Sequence, residues 1–300
     1  MILFPNLCIF FMHPKLFNWL LFLILCLVWG SSFILMKEGL KQLSAYEVAA
    51  MRMLSGGVVL LPFAIGSFKR MQRKDLGLLI LSGMLGSFIP AILFCVAETK
   101  IDSALAGMLN ALTPLFVITI GALFFKSGII WRKFVGVLIG FAGMLLLFFA
   151  QKKGSGNSDV FLASLIVLAT LCYGLNVNMT NRFLKHVPSL DIAAIAFVSL
   201  MIPAATVLFM AGFAHHNFND ASVIKAISAS AVLGIFGTAV ATVLFYMLMK
   251  RAGPLFSSTV TYGIPFVAIG WGLLAGETIG LLEIIGLLII LSGVYITNNK

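Results

Sequence analysis

The sequence has very little charge. Asp, Glu, Lys and Arg together make up 10% of its 300 residues, whereas 61% are hydrophobic. A typical soluble domain has roughly 25% charged residues, so a water-soluble globular fold is excluded. The mean hydropathy of +1.11 indicates instead a chain that crosses a lipid bilayer repeatedly, with roughly 20 apolar residues for each helical crossing.

Acidic residues and histidines are scarce, and none lies near the middle of an apolar run. An intramembrane aspartyl protease or metalloprotease needs carboxylates or histidines there, so both classes are excluded. The chain also lacks the Gly-rich phosphate-binding motif of P-loop proteins, so transport is not driven by its own ATP hydrolysis. We therefore expect neither an enzyme nor a bound cofactor or metal ion.

Cysteine is also rare. The four cysteines, Cys8, Cys26, Cys95 and Cys172, are widely spaced and form no C-x-x-C motif. We interpret them as packed thiols rather than as disulfide partners or metal ligands.

The sequence does contain a series of long apolar runs. They are continuous rather than alternating in polarity, which indicates helices and not a β-barrel. A cytoplasmic segment, residues 1–17, precedes them, with Met12 as an alternative start. A polar connector at residues 151–159 divides the runs into two domains, 18–150 and 160–298. The ten predicted helices are residues 18–36, 45–66, 76–97, 103–125, 133–150, 160–180, 190–212, 225–249, 255–275 and 282–298.

The apolar pattern occurs twice. "LTPLFVITIGALFF", which contains Pro114, matches "GIPFVAIGWGLLAGE", which contains Pro265, and a Gly-x6-Gly helix follows each. "WGSSF" at Trp29–Phe33 likewise matches "YGLNV" at Tyr173–Val177. Because five helices per half is an odd number, the second half enters the membrane in the opposite orientation. The sequence predicts an all-α polytopic membrane protein, with ten transmembrane helices in two inverted five-helix repeats around a central cavity.

The basic residues support this arrangement. With the N-terminus in the cytoplasm, thirteen Lys and Arg lie on the cytoplasmic side and six on the other, and Arg52 lies inside a helix. This bias follows the positive-inside rule and predicts that both termini are cytoplasmic. The net charge of +10 sits in short caps between apolar runs, so we expect contacts with membrane lipids and none with nucleic acid.

These features together resemble the EamA family of the drug/metabolite transporter superfamily. The motifs are "LVWGSSF" in helix one, Arg52 in helix two, "SALAGMLNALTPLF" in helix four and "GETIGLLEIIGLLIILSGVYI" near the end, and the resemblance covers residues 18–298. It implies ten helices, a cavity lined by helices one, three, four, six, eight and nine, and transport of small metabolites, often amino acids. One departure is Lys126, where the family's first repeat often has a Glu like Glu277.

Polar residues inside apolar runs are candidate substrate-binding residues, because a polar group in lipid needs a partner or a water-filled cavity. Those on helices four and nine are Asn110, Thr113, Ser258, Thr261 and Tyr262. They precede Pro114 and Pro265, which are candidate hinges because each proline removes a backbone hydrogen bond. The alternative is a pair of packing kinks whose hydroxyl groups bond to the backbone.

A second group of candidates combines aromatic and small polar side chains. Those on helices one, six and eight are Trp29, Ser32, Tyr173, Asn176 and Tyr246. Aromatic rings in register across the repeat can form two walls of one pocket and stack on a ligand. The alternative is ordinary core packing.

Two charged residues are candidates for an ion pair or for coupling. Arg52 lies roughly 10 Å deep in helix two, which is not a cavity helix in the resembled family. We therefore favour an ion pair between helices over recognition of a substrate carboxylate. Glu98, at the outer end of helix three, is the best-placed carboxylate for proton coupling, but we favour a solvated loop charge near Lys100.

We therefore predict a secondary transporter that moves a small organic metabolite, an amino acid or a related compound, across the cytoplasmic (inner) membrane. It works by alternating access, with export favoured over uptake. The alternative from another class is a lipid-carrier flippase subunit or a structural membrane assembly partner. We expect a monomer, with a dimer as the alternative.

Overall fold

The computed structural model describes residues 14–125, 131–151 and 156–298, and every regular element in these ranges is helical. Seven of the helices are long and apolar enough to cross a membrane, and three shorter ones are apolar as well. In chain order they are α1 Pro14–Gly39, α2 Ala45–Arg70, α3 Arg73–Ala97, α4 Ser103–Phe124, α5 Trp131–Gln151, α6 Gly156–Phe183, α7 Ser189–Met210, α8 Ala221–Ser258, α9 Val260–Leu274 and α10 Leu281–Asn298.

The predicted helices coincide with these elements, and the differences are at their ends. α1 begins at Pro14 rather than at residue 18, because a proline at the first helical position already has a helical φ and loses no intrahelical hydrogen bond there. Three predicted features lie outside the described residues. They are the segment at residues 1–13 (with Cys8), Lys126, and residues 152–155 of the connector.

The eighth predicted helix ends at residue 249 and the ninth begins at residue 255, and the structure has a bend at a glycine between them rather than a loop. Gly253 has φ 87° and ψ 164°, a conformation that side chains with a β-carbon rarely adopt. The helix therefore bends sharply at this position. The short piece that follows the bend, Pro254–Ser258, continues through Thr259 into α9.

Several helices are irregular near their middles. π-helical turns interrupt α3 at Met84–Phe88 and α8 at Leu233–Val240, and such turns are frequent at functional sites. α4 breaks at Ala111 and Leu112, and Pro114 follows two residues after Leu112. Pro265, in contrast, lies inside a continuous helix. Only the first of the two candidate hinge prolines therefore coincides with a break.

Glycines bring α5 and α10 into backbone contact. A β-carbon added to Gly143 would lie 2.7 Å from the carbonyl oxygen of Gly286, and one added to Gly293 would lie 2.6 Å from that of Gly136. The contacts pair a later residue of one helix with an earlier residue of the other, so the two helices are antiparallel. Small residues permit this close approach, which explains why both helices carry the Gly-x6-Gly spacing.

The first helix of each half contacts the fourth helix of the other half, and the two contacts use matching residues. A β-carbon on Gly30 of α1 would clash with Val267 of α9, and one on Gly174 of α6 would clash with Phe116 of α4. Gly30 and Gly174 occupy matching places in the two sequence repeats, and so do Val267 and Phe116. Each half therefore places its first helix against the fourth helix of the other half.

α4 is the most enclosed helix, with every residue from Ser103 to Val117 buried. Charged side chains gather instead at the two ends of the bundle, which we call the Lys37 end and the Arg70 end. At the Arg70 end, Arg70 Nη2 lies 2.6 Å from Asp191 Oδ1. The Lys37 end carries a larger network, which is described with the site below.

Candidate functional site

A cavity of about 100 Å³ lies in the middle of the bundle, between the two halves. Helices α1, α2, α3, α4, α6, α8 and α9 all contribute to its wall. Nine of the ten candidate substrate-binding residues line it: Trp29, Ser32, Asn110, Thr113, Tyr173, Asn176, Tyr246, Ser258 and Thr261. The structure thus brings together residues that are up to 232 positions apart in the chain. Their role in binding a substrate stays a prediction.

Tyr262 is the candidate that lies elsewhere. It lines a separate groove on the outside of the bundle together with Trp19, Phe256 and Tyr295. Each residue of an α-helix is turned by about 100° from the one before it. Thr261 faces the cavity, and this turn places the Tyr262 ring on the side of α9 that faces the outer groove.

Sequence analysis missed several residues of the wall. Phe33 and Met36 line the cavity, and each lies four residues after a predicted wall residue of α1. Helical spacing alone would have found both, because residues i and i+4 share one face. Thr238 also lines the cavity, but it belongs to the π-helical stretch of α8, whose irregular spacing gives no such signal.

Trp29 is held in place by the π-helical stretch. Its Nε1 donates a hydrogen bond of 2.9 Å to the carbonyl oxygen of Gly237, and its ring lies 5.3 Å from the ring of Phe245, centroid to centroid. A buried indole N–H needs such a partner. The Trp29 side chain is therefore a fixed wall of the cavity rather than a free rotor.

Polar groups from α4 and the start of α9 face the cavity beside these aromatic rings. Thr113 Oγ1 donates to the carbonyl oxygen of Asn110 at 2.9 Å, and Thr261 Oγ1 donates to that of Ser258 at 2.8 Å. Both threonines therefore bond to the backbone, as the alternative of a packing kink predicts. Their hydroxyl oxygens keep the capacity to accept a further hydrogen bond. The Asn110 side chain lines the cavity beside them.

A cluster of hydrogen bonds closes the cavity toward the Arg70 end. Ser82 Oγ donates to Asn176 Oδ1 at 2.8 Å and lies 2.9 Å from the hydroxyl oxygen of Tyr246. Thr180 Oγ1 also donates to Asn176 Oδ1, at 3.1 Å. Asn176 and Tyr246 line the cavity, whereas Thr180 lines a cleft of about 290 Å³ on the far side of the cluster, beside Lys250.

Arg52 is part of the cavity wall, and this differs from the ion pair between helices that we favoured. Its Nε donates to Thr238 Oγ1 at 3.2 Å, and among the described residues no carboxylate oxygen lies within 4.0 Å of its guanidinium. The reason is the close packing of α2 on α8. Gly234 lies directly against the backbone of Arg52, which brings the Thr238 hydroxyl to the Arg52 side chain.

Ion pairs close the Lys37 end. Lys37 Nζ lies 2.6 Å from Glu277 Oε1 and 3.1 Å from Asp102 Oδ1. Glu277 also accepts hydrogen bonds of 3.1 Å from the backbone N–H groups of Ser103 and Ala104, which are free donors at the start of α4. Burial raises the pKa of the Glu277 carboxyl, but the bonds from Lys37, Ala104 and Ser103 outweigh it, so the pKa is below its usual value.

Glu98 is buried beneath this network, so the favoured prediction of a solvated loop charge was wrong. Its side chain belongs to a residue that is 3% exposed, and neither carboxylate oxygen has a hydrogen-bond partner among the described residues. Burial raises its pKa well above the usual value; the charges of Lys37 and Arg52 oppose this, and the Glu277 charge adds to it. Glu98 continues the last turn of α3 and lies four residues after the buried Phe94, on the same inward face of that helix.

A bundle of apolar helices around a central cavity with aromatic and polar walls defines a multi-pass membrane transport protein. Comparison with models of known protein families makes the assignment more specific. A family model for the EamA-like transporter family matches residues 16–149 and 160–299. The chain therefore belongs to this family, and the two matched regions are its two EamA repeats.

Curated relatives carry transporter names. An uncharacterized transporter of Archaeoglobus fulgidus is 23% identical over 284 residues, which cover 94% of this chain and 99% of the relative. The uncharacterized inner membrane transporter YedA of Escherichia coli K12 is 26% identical, over 92% of this chain and 89% of YedA. A probable amino-acid metabolite efflux pump of Salmonella typhimurium is 24% identical, over 91% and 92% of the two chains.

A solved crystal structure has the same fold. It superposes with a TM-score of 0.65 over 94% of this chain and 96% of its own length, at 19% sequence identity. At that identity the likeness concerns the fold alone. Family, relatives and fold together indicate a multi-pass membrane transporter of small metabolites.

Proposed function

We propose that this protein is a secondary transporter that moves a small organic metabolite, an amino acid or a related compound, by alternating access, with export as its net direction. The central cavity carries this proposal. It lies between the two repeats and combines six aromatic side chains with Arg52 and a set of neutral polar groups. Specific small-molecule sites likewise combine an apolar lining with placed polar groups. The name of the Salmonella relative, a probable amino-acid metabolite efflux pump, supports the substrate class and the direction.

The proposal includes ten membrane crossings in two inverted repeats. Two observations support the inversion. The matched contacts of Gly30 with Val267 and of Gly174 with Phe116 are those expected when a two-fold axis in the membrane plane exchanges the halves. The last helices of the two repeats, α5 and α10, pack antiparallel through their glycines, as equivalent helices on either side of such an axis must.

We place the Arg70 end in the cytoplasm, together with both termini. Lys69, Arg70, Arg73 and Lys74 lie at this end in one short stretch, and cytoplasmic loops carry an excess of basic residues. The Lys37 end then faces the outside of the membrane.

Two polar closures would then alternate during transport. Opening toward the outside requires that Lys37 separates from Glu277 and Asp102, which join α1 to the second half and to the start of α4. Opening toward the cytoplasm requires that the Ser82, Asn176 and Tyr246 cluster separates. Each closure consists of few bonds, so binding energy from a substrate can shift the balance between them.

Transport measurements in proteoliposomes test the proposal. Purified protein is reconstituted into vesicles that are loaded with one unlabelled amino acid or related metabolite at a time, and the entry of the labelled compound is followed. We expect counterflow for at least one compound, and none in protein-free vesicles. Absence of counterflow for every compound, with transfer of a labelled lipid between leaflets instead, would favour the flippase alternative. The proposal also includes the absence of enzymatic activity, so each compound should be recovered chemically unchanged.

A further inference from the structure

We propose that the cavity recognises the carboxylate group of its substrate through Arg52, and that the preferred substrate is an organic monocarboxylate with an apolar, preferably aromatic, body. This inference rests on the proposed function, because it names the substrate class of the same cavity. It differs from the ion pair between helices that the sequence favoured for this residue.

The first observation is the charge balance of the wall. Arg52 is the one charged side chain that the described residues contribute to the cavity lining. Among those residues no carboxylate oxygen lies within 4.0 Å of it, and Glu98, which lies on a neighbouring helix end, is beyond that distance. A guanidinium inside the membrane needs an anion or water, and an anionic group of a ligand in the cavity would be a closer partner for Arg52 than Glu98 is.

The second observation is the orientation of Arg52. Its Nε is held by Thr238 Oγ1 at 3.2 Å, and Nη1 lies 3.9 Å from Met36 Sδ, which is a weak acceptor. The side chain is therefore held at Nε by a hydroxyl of α8 and at Nη1 by a thioether of α1, on different sides of the guanidinium. A guanidinium presents its donors as a planar fork that matches a carboxylate, and the Arg52 fork lies in the cavity wall.

The third observation concerns the opposite charge. No acidic side chain lines the described cavity, so a substrate ammonium group has no ionic partner there. The Asn110 side chain can accept a hydrogen bond from an amine, so an amino acid still fits. Six aromatic side chains also line the wall and suit an apolar body: Trp29, Phe33, Phe94, Tyr173, Phe245 and Tyr246.

Three ligands that share one aromatic body test the inference. Phenylalanine carries both charged groups, 3-phenylpropanoate keeps only the carboxylate, and 2-phenylethylamine keeps only the ammonium. We expect phenylalanine and 3-phenylpropanoate to raise the melting temperature of the purified protein and to compete in counterflow. The amine should do so at roughly tenfold or higher concentration, because it cannot make the charge-assisted bonds to Arg52.

Variants then assign the preference to Arg52. In Arg52→Gln the two carboxylate ligands should lose their advantage over the amine. Ser55→Ala, a change one turn away on the same helix and outside the cavity wall, should keep that advantage.

Equal effects of all three ligands on the unchanged protein, or no effect of any, would overturn the inference. An unchanged preference for carboxylates in Arg52→Gln would overturn it as well. If Arg52→Gln does not fold, Arg52→Lys, which keeps the charge and loses the fork, replaces it. Counterflow of other metabolites combined with a preference for amines would refute this inference and leave the proposed function standing.

Discussion

Lys37 Nζ lies 2.6 Å from Glu277 Oε1, although the two residues are 240 positions apart in the sequence. The bond joins the first helix of the first repeat to the segment between the last two helices of the second. Because Glu277 also caps the start of α4 through two backbone N–H groups, one carboxylate ties three parts of the Lys37 end together.

Removing this bond should open the Lys37 end. In Glu277→Gln, the ion pair to Lys37 is lost and part of the α4 cap is weakened, and both changes destabilise the closed form relative to the open one. We expect a cysteine introduced at Ser87, in the cavity wall, to react roughly tenfold faster with an impermeant thiol reagent from outside. The four native cysteines are replaced in this background.

The matched control for the gate is Lys41→Gln. Lys41 pairs with Glu38 at 2.6 Å, but its side chain is 62% exposed, and exposed pairs contribute little. The Ser87 cysteine should react at the same rate in Lys41→Gln as in the protein that carries no change at Lys41 or Glu277. Equal acceleration in both variants would mean that surface charge, rather than the Lys37–Glu277 bond, controls access.

The stability of the protein should depend on pH through Glu98. Burial raises the pKa of this carboxyl above its usual value of 4.5, so the folded state binds its proton more tightly than the unfolded state does. Its contribution to stability is complete below about pH 4.5 and is lost as the pH rises through the folded-state pKa. Glu98→Gln cannot ionise, so we expect a higher melting temperature than the unchanged protein at pH 8 and a smaller difference at pH 5.

Glu277 gives the opposite sign and is the control for this measurement. Its pKa is lowered in the folded state, so its contribution is present above the usual value of 4.5 and is lost as the pH falls through the lower folded value. Glu277→Gln should therefore lower the melting temperature at pH 8. Melting temperatures of Glu98→Gln that follow those of the unchanged protein at every pH would show that the burial of Glu98 has no energetic consequence.

The cavity wall can be tested with Asn110. Asn110→Ala removes an amide that faces the cavity, and loss of one neutral hydrogen bond costs on the order of 1 kcal/mol, more where a partner stays unpaired. We expect substrate binding to weaken roughly tenfold while the protein stays folded. Ser55→Ala is the control, because the Ser55 hydroxyl bonds to the backbone oxygen of Met51 and lies outside the wall. Similar losses in both variants at equal expression would place the pocket elsewhere.

Orientation is tested by labelling from the two sides of the membrane. Cysteines at Lys74 and Lys250 belong to the Arg70 end, and a cysteine at Asn219 belongs to the Lys37 end. The charge bias of the loops predicts that the first two react from the cytoplasm and the third from outside. Reaction of Lys250 and Asn219 cysteines from the same side would contradict the orientation of the second repeat.

Much of the site follows from the sequence, because polar residues are rare enough in apolar runs to be conspicuous. Ser32, Asn110 and Thr261 stand out for this reason, and all three lie in the cavity wall. Tyr262 shows the limit of the argument. A difference of one residue turns a side chain away from the cavity, and the sequence shows no periodicity sharp enough to tell the faces of an almost uniformly apolar helix apart.

The sequence by itself determined the helical, membrane-spanning character of the chain, its division into two repeats and most of its cavity residues. These properties depend on composition and local order, since apolar runs must form helices in lipid. Only the tertiary structure decided that Arg52 faces the cavity, that Glu98 is buried, and that Lys37 meets Glu277. The environment of a charged group depends on which distant segments pack against it, and those contacts form between helices that no local pattern relates.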